Sequence, residues 1–206
     1  MDMGGALGGG ATIFLYAIRE RELVLDLFES LVGARLLYGF HQIGGVRYDV
    51  PEGWAAQCRS TLDTIESRLV EYEEMLEGNP FFAMRTKGIG VISKALALDV
   101  GIAGPLLRAS GVNLDLRRSA PYSSYEDFQF VVPVETEGDC HARYRVRMVE
   151  FRESIKIVRQ ALDGLPSGPI SSRPGVKSLA QVKVPKGETY ARVEGPRGEV
   201  GCFLVS

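Results

Sequence analysis

The sequence predicts an α+β fold that is mainly α-helical and carries a small β-hairpin near its C-terminal end. Two long segments repeat apolar residues every three or four positions, which is the spacing of one face of a helix. The last residues instead alternate around Gly195-Pro196-Arg197-Gly198, which favours a hairpin. With 206 residues, 45% of them hydrophobic and 24% charged, the chain has the composition of a soluble globular protein.

The first helix is predicted to run from about residue 11 to Val32, after a glycine-rich start in which a helix would be unstable. Its apolar residues near helical spacing are Ile18, Val24, Phe28 and Leu31. Gly33 follows as a typical helix stop. A loop with extended chain is expected next, through Ile43-Gly44-Gly45-Val46.

The second helix is predicted to open near Pro51 and to end at Gly78-Asn79-Pro80. A single apolar stripe follows its whole length, formed by Trp54, Cys58, Leu62, Ile65, Leu69, Tyr72 and Leu76. A short helix is expected from Ser93 to Val100, with the Ser93 side chain as its N-cap.

The third long helix is predicted to follow Asp139, which can cap it, and to end at Gly164 and Pro166. Its apolar stripe consists of Tyr144, Met148, Phe151, Ile155, Val158 and Leu162. Ahead of it, residues 121–134 are expected to be extended or irregular packed chain. The predicted division is a helical segment (1–166), a linker rich in proline, glycine and serine (167–184) and a hairpin segment (185–206).

The segment Leu107–Arg117 concentrates charge within otherwise apolar sequence. It places Arg108, Ser110, Asp115 and Arg117 within eleven residues that are interrupted by one glycine. Burying an ion costs several kcal/mol unless it is paired, so we expect Arg108, Asp115 and Arg117 to form an ion-pair network. Two interpretations are open: the network shapes a surface for a partner, or it is purely internal.

Several kinds of site are disfavoured. Gly88-Ile89-Gly90 lacks the third glycine of a dinucleotide-binding loop, and no Gly-Lys-Ser/Thr follows it. The two histidines and three cysteines form no Cys-x-x-Cys pair, so neither a metal site nor a thiol nucleophile is expected. A net charge of −2 gives no reason to expect nucleic acid. Widely spaced cysteines, odd in number, are typical of a reducing compartment, and no apolar run is long enough to span a bilayer.

Six blocks of sequence resemble the D-type subunit of respiratory complex I, the NADH–quinone oxidoreductase, a family that includes the H-type subunit of cyanobacteria and chloroplasts. The blocks are Arg19–Glu22 with Asp26–Glu29, Ile43–Val46 with Asp49 and Pro51, Leu107–Arg117, Gly138–Cys140 with Arg143 and Glu150–Ser154, Pro185–Glu188, and Arg197–Gly201. They occur in the family's order. The resemblance covers nearly the whole chain but only about the middle half of a typical member, so the chain is expected to be a fragment or a truncated relative.

The resemblance implies a fold like the large subunit of nickel–iron hydrogenases and a role as one wall of the quinone cavity. Asp2 stands where the family supplies a carboxylate that orients a histidine at the quinone headgroup, so it is the implied catalytic residue. The electrons come from an iron–sulfur cluster on the neighbouring B-type subunit, and this chain itself binds no cofactor. Other peripheral-arm subunits are the implied further partners. The membrane is contacted only through the complex, on its cytoplasmic side or on the matrix or stromal side in an organelle.

The sequence also departs from the family's pattern, and this leaves an alternative function. Leu37 and Gln42 stand where many members have a histidine near the cluster and an arginine. Because leucine cannot titrate, proton coupling to cluster reduction is expected to be weaker at that position. The alternative is a truncated, non-catalytic scaffold or binding module that contacts the iron–sulfur subunit.

Overall fold

A computed structural model describes residues 12–172 and 183–206. Its helices are α1 (Thr12–Val32), α2 (Trp54–Glu77), α3 (Pro80–Thr86), α4 (Lys94–Asp99), α5 (Gly104–Ala109), α6 (Leu116–Ser119) and α7 (Cys140–Asp163), with a 3-10 turn at Tyr125–Asp127. Its strands are β1 (His41–Gln42), β2 (Gly45–Val46), β3 (Glu188–Gly195) and β4 (Gly198–Val205). The predicted fold class, mainly helical with a small C-terminal hairpin, is confirmed.

The chain groups into two units, the first formed by residues 1–72 and 162–185 and the second by residues 73–161 and 186–206. No helix within the described ranges is both long and apolar enough to cross a bilayer. The division at residues 166 and 184 that the sequence suggests stays a prediction.

The apolar stripe predicted on α2 is confirmed. Its buried members are Cys58, Ile65, Leu69, Tyr72 and Leu76. The helix begins at Trp54 rather than at Pro51, whose carbonyl oxygen accepts from the Trp54 amide at 3.1 Å. The Trp54 indole in turn donates to the carbonyl oxygen of Leu27 at 3.0 Å, which joins the start of α2 to α1 within the first unit.

The stripe predicted on α1 is wrong. Ile18 is 36% exposed, whereas the buried residues of the helix are Ile13, Glu20, Leu25 and Leu27. Apolar residues occur on nearly every side of this helix, so their spacing does not select one face. The end of the helix is as predicted, because the chain turns at Gly33 with a φ of 74°.

Close packing of two backbone segments requires a glycine at position 45. Strands β1 and β2 form a short antiparallel pair, and the Val46 amide also donates to the carbonyl oxygen of Ile170 at 3.0 Å. A Cβ atom on Gly45 would lie 2.2 Å from that same oxygen. Only glycine permits this approach of two backbone segments.

In the second unit the two predicted helix caps are confirmed. The Asp139 carboxylate accepts from the Ala142 amide at 2.7 Å and from the Gly88 amide at 2.8 Å, so it caps α7 and fixes a distant loop. Ser93 caps α4 by accepting from the Leu96 amide at 3.2 Å.

The stripe predicted on α7 is partly wrong, since Phe151 and Val158 are 40% and 37% exposed. Tyr144, Met148 and Ile155 of the stripe are buried. The buried residues of the helix as a whole lie on more than one side: Ala142, Tyr144, Val146, Met148, Glu153, Ile155 and Ile157. A helix that is covered on two sides does not follow a single-stripe pattern.

Three short helices, α3, α5 and α6, were not predicted. Each is seven residues or shorter, which is too short for an apolar period to be visible. Asn79, predicted to end α2, also begins α3, because its side chain accepts from the Phe81 amide at 2.9 Å and Pro80 occupies the first turn.

The predicted C-terminal hairpin is confirmed. Strands β3 and β4 pair antiparallel in a register that runs from Glu188 opposite Val205 to Gly195 opposite Gly198. A Cβ atom on Gly104, at the start of α5, would lie 2.4 Å from the Gly198 Cα atom, so the turn end of the hairpin packs closely on α5. The hairpin is thereby positioned beside the charged segment 107–117.

Candidate functional site

The candidate site is the charged segment 107–117, which the fold turns inward. Arg108 lies in the last turn of α5, and Asp115 is the N-cap of α6. Gly111, with a φ of 86°, turns the chain between the two helices. Arg108 is 1% exposed and Asp115 is 2% exposed, so both ions are removed from water and need partners within the protein.

The Arg108 guanidinium binds three elements at once. Its Nε atom donates to Oε1 of Glu150 on α7 at 2.8 Å, and Nη2 lies 2.6 Å from the same oxygen. Its Nη1 atom donates to Oε1 of Glu194 on β3 at 2.9 Å and to the carbonyl oxygen of Leu114 at 2.8 Å. A rigid fork of donors suits this convergence, whereas a lysine ammonium would not reproduce its planar geometry.

Asp115 is held mainly by Arg117. Its two carboxylate oxygens accept from Nε and Nη2 of Arg117 at 3.0 and 2.7 Å, and its Oδ1 also accepts from the Arg117 amide at 2.9 Å. Burial acts to raise the pKa of Asp115, but the hydrogen bonds and the charge of Arg117 outweigh it and lower the pKa. Asp115 is therefore ionised at neutral pH.

The three charged residues predicted to interact do lie in one network: Arg108 Nη1 is 3.6 Å from Asp115 Oδ2, and Asp115 binds Arg117. Most of the network is internal, with Arg117 the more accessible of its two cations. Any role toward a partner subunit stays a prediction.

Sequence reasoning missed two members of the network, Glu150 and Glu194. Glu194 accepts from Arg108 with one oxygen and from the Leu116 amide with the other, at 3.2 Å. These carboxylates are 42 and 86 residues from Arg108 in the sequence, so no local pattern could have connected them. The signal in the sequence that could have drawn attention to them is their position: Glu150 lies within a block that resembles the family, and Glu194 lies three residues before another such block.

Aromatic rings contact the arginines at positions 117 and 118. The Arg117 guanidinium carbon lies 5.0 Å from the Phe130 ring centroid, and that of Arg118 lies 4.0 Å from it. Arg118 also donates to the carbonyl oxygen of Phe130 at 2.7 Å. Such cation–π contacts stabilise the charged form of an arginine in apolar surroundings.

Asp2, the predicted catalytic residue, lies outside the described residues. Leu37, in the first unit, is 96% exposed and adopts a φ of 60°, which is unusual for a residue with a side chain. The adjoining Arg35 is held by carboxylates of α1, those of Glu22, Asp26 and Glu29, at 2.5 to 2.9 Å. The loop thus exposes an apolar side chain two residues after an arginine that forms ion pairs at the surface.

The donor groups of the chain do not suit an iron–sulfur cluster. A tetranuclear cluster is held by four cysteine thiolates, and the sequence has three cysteines, of which Cys58 is buried. Across residues 12–172 and 183–206, no group of three His, Cys, Asp or Glu residues is arranged to hold a metal ion.

Comparison with known proteins identifies the family. Residues 8–206 match the sequence model of the 49 kDa subunit of the respiratory-chain NADH dehydrogenase. The chain belongs to this family. Its similarity to the D-type subunit of NADH-quinone oxidoreductases, which the sequence blocks suggested, is thereby confirmed.

Two curated relatives illustrate the match. The D-type subunit of the NADH-quinone oxidoreductase of Desulforamulus reducens is 44% identical over 96% of this chain and 53% of the relative. The H-type subunit of the NAD(P)H-quinone oxidoreductase of a Synechococcus strain is 45% identical over 96% of this chain and 55% of the relative. The chain therefore spans about half the length of the curated members of the 49 kDa subunit family that it matches.

A solved structure supports the same assignment. A chain of an archaeal respiratory membrane complex, the membrane-bound sulfane sulfur reductase, superposes with a TM-score of 0.91 and 40% sequence identity. The match covers 98% of this chain and 55% of that chain. The fold of this member of the 49 kDa subunit family therefore also occurs in a complex whose name is not that of a quinone reductase.

Proposed function

We propose that the chain is the central part of a subunit of an NADH:quinone oxidoreductase, in which it lines the site of quinone reduction. The observation that carries this proposal is the family match over residues 8–206, with relatives of 44 to 45% identity that are named as subunits of such oxidoreductases. Electrons reach the quinone from an iron–sulfur cluster on a neighbouring subunit. Proton translocation by the complex follows from this quinone reduction.

The proposed chemistry of this chain concerns protons. Reduction of a quinone to the quinol consumes two electrons and two protons, and a dry cavity disfavours the semiquinone anion unless a proton follows the electron. Asp2 is the proposed carboxylate that orients the proton donor at the quinone headgroup.

The ion network has a proposed positioning role. Arg108 joins α5, α7 and β3 through contacts of 2.6 to 2.9 Å, so these elements keep a fixed geometry next to a partner. The proposed partners are the iron–sulfur subunit and other peripheral-arm subunits. The exposed apolar side chains of Leu37, Phe81, Met84, Ile89 and Val91 support contact with other polypeptides. The membrane is reached only through these subunits, on its cytoplasmic side.

The test is Asp2→Asn in the assembled complex. The amide keeps the size of the side chain but removes the negative charge that orients the proton donor, so we expect quinone reduction to fall by about 10²–10⁴-fold while the complex still assembles. Asp127→Asn is the control, because Asp127 is an exposed carboxylate of the 3-10 turn. Unchanged quinone reduction in Asp2→Asn would favour the scaffold alternative, in which the chain only contacts the iron–sulfur subunit.

A second candidate function follows from the solved structure, whose complex is named as a sulfane sulfur reductase. In that case the subunit would serve a membrane respiratory complex that reduces sulfane sulfur. The purified complex distinguishes the two functions when it is supplied with a quinone or with a polysulfide. Quinone-dependent oxidation of the electron donor supports the first function, and polysulfide-dependent oxidation supports the second.

A further inference from the structure

The buried network around Arg108 contains more acids than bases. Its cations are Arg108 and Arg117, and its carboxylates are those of Asp115, Glu150 and Glu194. The exposed fraction of these side chains ranges from 0 to 15%. With all three acids ionised, the network would carry one uncompensated negative charge in a poorly solvated place, which is costly.

We propose that Glu150 holds a proton at neutral pH, and that this proton fastens the C-terminal hairpin to the helices. The hydrogen bonds of the three acids single out Glu150. Both oxygens of Asp115 accept from Arg117, and the two oxygens of Glu194 accept from Arg108 and from the Leu116 amide. The contacts of Glu150 with Arg108 instead converge on Oε1, so a proton on Oε2 disturbs none of them.

The other charged groups of the network lie on three elements. Arg108 contributes from α5, Asp115 and Arg117 from α6, and Glu194 from β3. Arg117 is engaged by Asp115, and Arg108 is shared between Glu150 and Glu194, so the two cations compensate Glu150 only in part. Burial accordingly raises the pKa of Glu150, although the charge and hydrogen bonds of Arg108 act in the opposite direction.

The proton matters for the hairpin because Glu150 on α7 and Glu194 on β3 share the guanidinium of Arg108. While Glu150 is protonated, the network is neutral and Arg108 can serve Glu194 fully. Once Glu150 ionises, two carboxylates of like charge compete for one cation, and the repulsion acts between the helix and the strand. The attachment of the hairpin to the helices therefore weakens as the pH rises.

The sign of the pH effect follows from linkage. The pKa of Glu150 is raised in the folded chain above its ordinary value of 4.5, so the folded state binds this proton more tightly than the unfolded state. Its contribution to stability is complete below 4.5 and is lost as the pH rises through the folded pKa. Glu150→Gln mimics the protonated acid and removes this loss.

The test compares Glu150→Gln with Glu153→Gln in the full 206-residue chain. Glu153 lies on the same helix, is also buried, and accepts from Lys156 at 2.5 Å and from the Val131 amide at 2.9 Å, with a lowered pKa despite its burial. At pH 7 we expect Glu150→Gln to leave the unfolding equilibrium constant within about twofold of wild type or lower it. Glu153→Gln should raise it by about tenfold, because a charge-assisted hydrogen bond is lost.

Hydrogen exchange gives a local readout. In the wild-type chain the protection of the β3 and β4 amides, corrected for base catalysis of exchange, should fall as the pH rises, and in Glu150→Gln it should stay constant. A rise in the unfolding constant of about tenfold or more for Glu150→Gln at pH 7, or equal pH dependence of protection in both chains, would overturn the proposal. Should the variant fail to fold, isotope-edited infrared spectra of wild type decide: the carbonyl stretch of a buried protonated glutamic acid supports the proposal, and its absence at pH 7 refutes it.

Discussion

Arg108→Met measures how much the buried ion network contributes to stability. The substitution removes a guanidinium that is 1% exposed, which leaves the Glu194 carboxylate without its cation and the Glu150 side chain without its hydrogen-bond donor. Removing one partner of a buried ion pair costs about 3–5 kcal/mol, because uncompensated charge stays buried. The carbonyl oxygen of Leu114 also loses its donor, at a further cost of roughly 1 kcal/mol.

Two effects oppose this loss. The Glu194 carboxylate can take up a proton, and the methionine side chain fills most of the volume of the arginine stem with apolar atoms. We therefore expect the free energy of unfolding to fall by about 3–4 kcal/mol. Urea unfolding followed by circular dichroism measures it, with the dependence on urea concentration compared between variant and wild type to confirm that the unfolded states match.

Arg35→Met is the matched control. Arg35 also contacts three carboxylates, those of Glu22, Asp26 and Glu29, and two of these contacts are shorter than any made by Arg108. It lies at the surface, however, where water screens its charge. We expect the control to change the urea midpoint within the error of the fit. Equal losses in the two variants, or a loss below about 1 kcal/mol for Arg108→Met, would refute the reasoning from burial.

Three further predictions concern single side chains. Because the pKa of Asp115 is lowered in the folded chain, its contribution to stability is present above the pKa of the unfolded carboxyl and is lost as the pH falls through the folded pKa. The urea midpoints of Asp115→Asn and wild type should therefore differ at pH 7 and converge in acid. Leu37→Asn should raise stability by about 0.5–1 kcal/mol, because asparagine tolerates the positive φ, whereas Leu36→Asn should give no gain. Tyr144→Phe should be neutral or stabilising in thermal unfolding, because the buried Tyr144 hydroxyl has no hydrogen-bond partner among the described residues. Tyr72→Phe should instead lower the free energy of unfolding by about 1.5–3 kcal/mol, because it removes the hydrogen bond from the Tyr72 hydroxyl to the buried Glu20 carboxylate.

Local features of the fold could be predicted from the sequence. The stripe on α2, the caps at Ser93 and Asp139, and the hairpin at Gly195–Gly198 each depend on residues close together in the chain. The prediction of the stripe on α1 failed because apolar side chains occur on nearly every side of that helix. Which side is buried then depends on the elements that pack against the helix.

The candidate site was predictable only in part. Asp115 and Arg117 are two residues apart, and the side chain of an N-cap residue lies next to the first turn of its helix, so their pairing is a local feature. The contacts of Arg108 with Glu150 and Glu194 depend on the tertiary arrangement of a helix and a strand, which composition and spacing do not specify. Burial of the ions, which determines their energetic importance, is likewise a property of the folded chain alone.

The most direct test of the central claim is whether this chain associates with an iron–sulfur subunit in its own membranes. The chain is affinity-tagged in its source cells, the membranes are solubilised in mild detergent, and the purified material is analysed for iron, for acid-labile sulfide and by electron paramagnetic resonance. We expect an equimolar partner that carries a reducible iron–sulfur cluster. Recovery of the tagged chain alone, free of iron and as a monomer, would contradict it.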